Sequence, residues 1–214
     1  MYRAIGVEKF ARYFTLTVGL AFLALWLWDR PSEVSVVWRQ VSLAIAIVTA
    51  LTLAMGQTAI FPWLCRKTVL GRIFPDIDGE WHVELKSNWP AIAKLIGIIP
   101  DETATIGAMK IKARLFTIKL RYTSVSPRPS YLISKTRSVS IERDADDGFC
   151  RLLYVYEAEV TNPEATDSGH HYGAAYIDLM QSRAGSVRYH GAYWTNRNWT
   201  DGLNTAGVID LLRD

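Results

Sequence analysis

Residues 41–64 read VSLAIAIVTALTLAMGQTAIFPWL, a stretch without a single charge, and the reading of this stretch decides the fold. Its most polar member is Gln57. About 20 apolar residues cross the hydrocarbon core of a bilayer as a helix, so this run is long enough outright. Upstream, residues 14–28 (FTLTVGLAFLALWLW) are also free of charge. That run reaches full length only if it extends back past Arg12, with Arg12 snorkelling and Trp26 and Trp28 in the interface. A cleaved signal peptide is a competing reading of the first run. Against it, bulky Trp26 and Trp28 close the segment where small residues would be needed, and a second apolar run follows at once. Two uncharged runs this close together also argue against buried helices of a soluble domain. The expectation is therefore a two-helix transmembrane anchor over residues 1–74, with helices at about 11–29 and 41–64.

The flanking charges orient the hairpin. Arg3, Lys9 and Arg12 precede the first helix, and Arg66, Lys67 and Arg72 follow the second. Of basic residues, the loop 29–40 carries only Arg30 and Arg39. An excess of positive charge stays cytoplasmic, which places both termini inside and makes the protein multi-pass. Cys65 and Cys150 show no framework of paired spacings, in keeping with a reduced compartment.

From Ile77 onward the pattern changes to alternation. Trp81, Val83 and Leu85 alternate with His82, Glu84 and Lys86. Period-two patterns recur at 109–115, 116–122, 131–141, 150–158, 171–179, 187–193 and 205–212, rich in β-branched and aromatic residues. Turn signals fall at 126–129, 146–148, 162–163, 184–185 and 201–202. Residues 89–99 are the exception and read as a short helix or loop insertion. Eight strands without a long helix among them predict a membrane-anchored all-β protein. The best fit for residues 75–214 is an antiparallel up-and-down barrel, because closure removes exposed edges. A β-sandwich is the alternative. Gly79-Glu80-Trp81 resembles the GxW opening of lipocalin-type barrels.

No enzyme signature is present: no phosphate-cradling glycine loop, no nucleophile elbow, no CxxC or HExxH pattern. Neither catalysis, a metal nor a cofactor is expected. His170 and His171 are adjacent and point to opposite faces of a strand, so they cannot chelate together. Residues 103–141 hold eight Lys or Arg and no Asp or Glu, while acidic residues crowd 142–178. Lys110, Lys112, Arg114, Lys119 and Arg121 alternate against an apolar face and read as a solvated surface. Lys135 and Arg137 differ, since Tyr131, Ile133, Val139 and Ile141 share their face and Ser134, Thr136, Ser138 and Ser140 occupy the other. Their face is therefore expected inside, where a cation needs a partner. Either an internal carboxylate balances it or the lumen accepts an anionic ligand. Tyr154, Tyr156, Tyr193, Thr195 and Arg197 join Tyr131, Lys135 and Arg137 as candidate ligand-binding residues. Rings that stack on bases beside cations that meet phosphates suit a nucleotide.

Two hydrophobic helices, a short basic linker, Phe74-Pro75-Asp76-Ile77-Asp78-Gly79-Glu80-Trp81 and a β-rich domain ending in Gly191-Ala192-Tyr193-Trp194-Thr195-Asn196-Arg197 resemble one family. It is the SMODS-associating two-transmembrane, β-strand-rich effectors of bacterial CBASS anti-phage systems. The resemblance implies a cyclic dinucleotide ligand made by a partner nucleotidyltransferase. It also implies ligand-induced homo-oligomerisation and disruption of the bacterial inner membrane, ending in abortive infection. No nucleic acid polymer is expected as a partner. The alternatives are a membrane-tethered lipocalin-like barrel holding a lipid or other apolar molecule, and a membrane-anchored hydrolase without a recognisable motif.

Overall fold

A computed structural model of the chain describes residues 4–99, 104–125, 132–143, 149–163, 167–179 and 187–213. The chain forms two compact units. The first comprises Met1–Asp76 with Arg114–Thr117, and the second holds Ile77–Ala113 with Ile118–Asp214.

In the first unit, α1 (Val7–Asp29) and α2 (Val34–Gly56) are both long and apolar enough to cross a membrane. Arg30 adopts a left-handed conformation (φ 41°) and returns its N–H to the Trp26 carbonyl at 2.8 Å, ending α1. Four residues of α2 are buried, Gln40, Ala44, Val48 and Gly56, each spaced by a multiple of four. That spacing is one helix face. No side chain of α1 is buried, and Leu16, Leu20 and Leu23 are among its exposed residues.

The second helix starts and stops earlier than the charge-free run implies. It begins at Val34 because Arg39 and Gln40 are compatible with a helix even though they bound the uncharged stretch. It ends at Gly56 because Pro62 lacks an N–H and its ring would clash with the preceding turn of a continuous helix. Pro62 instead sits in the first turn of a separate short helix, α3 (Ile60–Lys67). There Phe61 packs edge-on against Phe74 at 5.2 Å, and Arg66 pairs with Asp76 at 3.1 Å.

The second unit is a closed barrel of eight antiparallel strands in sequential order. They are β1 (Gly79–Ser87), β2 (Ala104–Ala113), β3 (Ile118–Ser124), β4 (Leu132–Arg143), β5 (Cys150–Val160), β6 (His170–Leu179), β7 (Val187–Thr195) and β8 (Ala206–Arg213). β8 closes on β1 through pairs such as Leu85 with Ile209, so the sandwich alternative does not apply. A short helix, α4 (Trp89–Leu95), links β1 to β2 where the periodicity failed. Turns expected at 162–163 and 201–202 contain left-handed residues, Asn162 (φ 54°) and Gly202 (φ 72°). Those expected at 126–129, 146–148 and 184–185 lie outside the described residues.

Trp81 seals the end of the barrel at which β1 begins. Its indole N–H donates to the Ile77 carbonyl at 2.9 Å, Tyr189 lies 4.9 Å away between ring centroids, and the Arg213 guanidinium covers the ring at 4.3 Å. Above it, Val83, Met109, Ile111, Ile141, Leu152, Ile177 and Leu211 fill the lower half of the lumen.

β4 carries the one departure from strict alternation that matters for function. Its pairing with β5 slips between Thr136 and Ser138, leaving Arg137 as the extra residue of a β-bulge. Before the bulge, even-numbered Ser134 is buried; after it, odd-numbered Ile141 is buried. Among the described residues, β4 pairs with β3 only at Ile133, Ser134 and Lys135. Beyond those pairs the Thr136 hydroxyl takes over, accepting from the Leu120 N–H at 2.6 Å and donating to its carbonyl at 2.7 Å. Thr136→Val keeps the shape and strands both main-chain groups. It is expected to cost about 1–3 kcal/mol, measured as a lower denaturation midpoint.

Candidate functional site

The inward residues change character toward the end of the barrel where β1 finishes. Gly107, Ser124, Ser134, Ala158 and Gly173 are buried there, so the wall itself is thin. Four tyrosines occupy the space: Tyr122 from β3, Tyr154 and Tyr156 from β5, and Tyr193 from β7. Tyr122 lies over Gly107 and Tyr156 over Gly173, so close that a Cβ at either glycine would collide with the ring. Tyr154 and Tyr156 sit 5.8 Å apart between ring centroids.

Burial pushes all four phenol pKa values up. Tyr122, Tyr154 and Tyr156 are raised further by neighbouring tyrosines, whereas Ser87 and Arg197 partly oppose the shift at Tyr193. The hydroxyls are therefore neutral and available as donors at physiological pH.

Two buried polar atoms of this chamber have no hydrogen-bond partner among the described residues: the Tyr122 hydroxyl and His171 Nδ1. Burial, reinforced by the positive field of Arg197, lowers the His171 pKa to about 4, against a weaker opposing bond to the Ser168 backbone. The imidazole is thus neutral. Leaving such atoms unpaired costs about 1–3 kcal/mol each, a cost that a polar ligand or a water would relieve. At the rim, Arg197 lies one-quarter exposed with its Nε 2.8 Å from Asp167. Thr195 and Thr205 hydroxyls meet at 3.0 Å and brace β7 to the start of β8. Among the described residues, no three His, Cys, Asp or Glu side chains converge as a metal site.

The structure brings together Tyr154, Tyr156 and Tyr193, with Thr195 and Arg197 at the rim. It does not bring Lys135 and Arg137 with them. Both are exposed on the outer surface, Lys135 opposite Glu157 and Arg137 paired to the same carboxylate. The bulge explains the difference: Val139 and Ile141 share parity with Lys135 and Arg137, but the extra residue reverses which parity faces inward. Tyr131 lies outside the described residues. Tyr122, His171, Ser124 and Ser134 are the additions. His170 and His171 do point apart, one exposed and one buried, as adjacent strand residues must. The basic residues Lys110, Lys112, Lys119 and Arg121 are exposed, in keeping with their alternation.

The chain is 26% identical over 178 residues to CD-NTase-associated protein 15 of Escherichia albertii, an alignment covering 83% of this chain and 82% of that one. The resemblance to the CBASS effector family holds. No protein-family profile matches the chain. The match to this relative takes in more of the chain than the barrel alone could supply.

Proposed function

We propose that this chain is a CBASS effector of the bacterial inner membrane that binds a cyclic dinucleotide in the upper lumen of its barrel, oligomerises and disrupts the bilayer. The observation that carries the reading is the tyrosine chamber with its two unpartnered buried polar atoms. Neutral phenols offer π-faces for bases and donors for phosphate oxygens, and Arg197 supplies a cation at the mouth. The ligand would come from a partner nucleotidyltransferase, the kind of protein with which the relative is named as associated. Among the described residues, the aliphatic side chains of the lumen lie in its lower half and are buried there, which leaves the tyrosine-lined upper half poorly suited to a lipid.

Two further features support the rest of the scheme. No residue of α1 is buried, and its exposed Leu16, Leu20, Leu23 and Leu27 are side chains that a bilayer would cover. With basic residues flanking both helices, the termini would face the cytoplasm. On the outside of the barrel, Val155, Ala174, Trp194 and Ala206 form one cross-strand row over β5–β8, and Leu153, Tyr176, Ala192 and Val208 form the next. Val155 is 43% exposed and Trp194 50%. Contiguous apolar surface of this kind suits contact with a second copy. Val155→Asp should therefore block ligand-driven assembly, read by sedimentation of the detergent-solubilised chain, while ligand binding persists.

The test of the site is thermal stability of the full chain in detergent against cyclic dinucleotides and linear controls. A hundredfold excess over the dissociation constant adds about 2.7 kcal/mol of stability. Tyr122→Phe is the decisive variant. Without ligand it should be at least as stable as the parent, because it removes an unpaired hydroxyl. With ligand its affinity should fall about fivefold to tenfold, the worth of one hydrogen bond. No selective shift across the panel, with the barrel folded, would overturn the proposal and turn attention to lipid that co-purifies.

A further inference from the structure

The basic stretch of the sequence becomes a surface once the strands are registered. Lys110 on β2 stands directly opposite Arg121 on β3, which stands opposite Lys135 on β4. In the adjacent row, Lys112 faces Lys119. All five side chains are exposed. Glutamates bound the first row on either side, Glu80 across from Lys110 and Glu157 across from Lys135, and Glu80 pairs with Lys110 at 2.9 Å. Lys112, Lys119, Arg121 and Lys135 have no ion-pair partner among the described residues. Like charges placed directly opposite on a sheet are destabilising, and here three such pairs stand side by side. An ordinary solvated face mixes signs and avoids the repulsion.

We propose that the outer face of β2–β4 docks onto anionic phospholipid headgroups of the leaflet beside which the barrel is tethered. The partner follows from the chain's own anchor and so rests on the reading that α1 and α2 cross a bilayer. Residues 68–78 link α3 to β1, and with a 3-10 turn at Val69–Arg72, Phe74 packed on Phe61 and Asp76 paired to Arg66 they make a short tether. Such a tether holds the barrel at high effective concentration to the membrane surface, so that individually weak contacts suffice. An anionic leaflet attracts each basic residue held near it, and four cations without an ion-pair partner among the described residues form a patch of the size that such surfaces retain. A soluble polyanion would meet the same face without this advantage of tethering.

The experiment is lysine acylation footprinting of the full chain in nanodiscs, read by mass spectrometry. Discs of phosphatidylcholine alone are compared with discs containing about 30% phosphatidylglycerol, enough to set up the surface potential of a bacterial leaflet. Flotation and resistance to alkaline extraction first establish that the chain has inserted. In the anionic discs Lys112, Lys119 and Lys135 should be modified about threefold more slowly, with the protection lost at about 0.5 M salt. Lys86, on β1 away from this face, should react equally in both. A Lys119→Glu, Arg121→Glu variant should lose the protection of Lys112 while retaining the ligand response. Equal rates in the two disc types, with insertion established, overturn the docking surface and leave the anchor intact. Protection that follows the number of chains per disc and not the lipid would assign the face to a second copy and likewise overturn it. Failure to insert would overturn the membrane reading itself.

Discussion

Trp81→Ala is expected to lower the stability of the barrel by about 3–5 kcal/mol, the usual cost of truncating a fully buried tryptophan. Trp81 is 1% exposed and closes the end of the lumen where β1 begins. Its removal opens a cavity, leaves the Ile77 carbonyl without the indole N–H, and uncovers the Arg213 guanidinium now stacked on the ring. Arg213 would keep its bond to the Asp78 carbonyl at 3.0 Å and so could not simply swing away. For a domain of this size the midpoint should fall by roughly 10 °C or more in calorimetry of the detergent-solubilised chain. Trp81→Phe separates the contributions, since it keeps most of the packing and loses the N–H donor. It should cost less than half as much. A loss below about 1 kcal/mol for the alanine variant would show that the stack does not hold this end closed.

The second expected result is a loss of stability on mild acidification that traces to one side chain. The ordinary histidine pKa is about 6.5 in an unfolded chain. In the native barrel, burial first and the Arg197 charge second hold His171 down to about 4. Above pH 6.5 the imidazole is neutral in both states and the native state carries no penalty. As pH falls from there, the unfolded chain takes up a proton that the native chain refuses, so the native state is progressively disfavoured. The loss runs at up to 1.4 kcal/mol per pH unit and totals about 3 kcal/mol by pH 4. His171→Gln should flatten the profile between pH 7 and 5. Carboxylates that the fold holds below their usual range, such as Glu157 and Asp210, add their own loss only at lower pH. A parent profile already flat from pH 7 to 5 would mean that the imidazole is hydrated in solution.

Much of this architecture can be read from the chain, and the failures have specific causes. The eight strands are legible because each alternates with period two, but their number and spacing suit a sandwich as well as a barrel, and only the pairing of β8 with β1 decides between them. Tyr154, Tyr156 and Tyr193 are legible as inward because their strands keep strict alternation. Lys135 and Arg137 are not, since a bulge one residue long inverts the parity of half a strand without altering the composition around it. The only trace of it in the sequence is that the run from Leu132 to Arg143 is 12 residues long, against 7 in β3, its neighbour. Tyr122 escapes notice for the opposite reason. It ends a regular apolar alternation in β3 and reads as core, while its unpartnered hydroxyl becomes visible only when four strands are assembled. His171 differs again. Its adjacency to His170 shows that the two cannot act together, but not which of them faces the lumen.

Closure of the barrel bears on how copies of the chain can join. With β8 bonded to β1, every strand of the barrel has a strand on either side within one molecule, β4 meeting β3 through three residue pairs and the Thr136 hydroxyl. A neighbour cannot extend the sheet by adding a strand, and growth of the kind seen in fibrils has no template here. Copies must recognise one another through side chains alone. Such contacts are separable by single substitutions and can dissolve when the signal that formed them is withdrawn. For a protein whose proposed action kills its own cell, an assembly that cannot seed itself is a safeguard built into the topology.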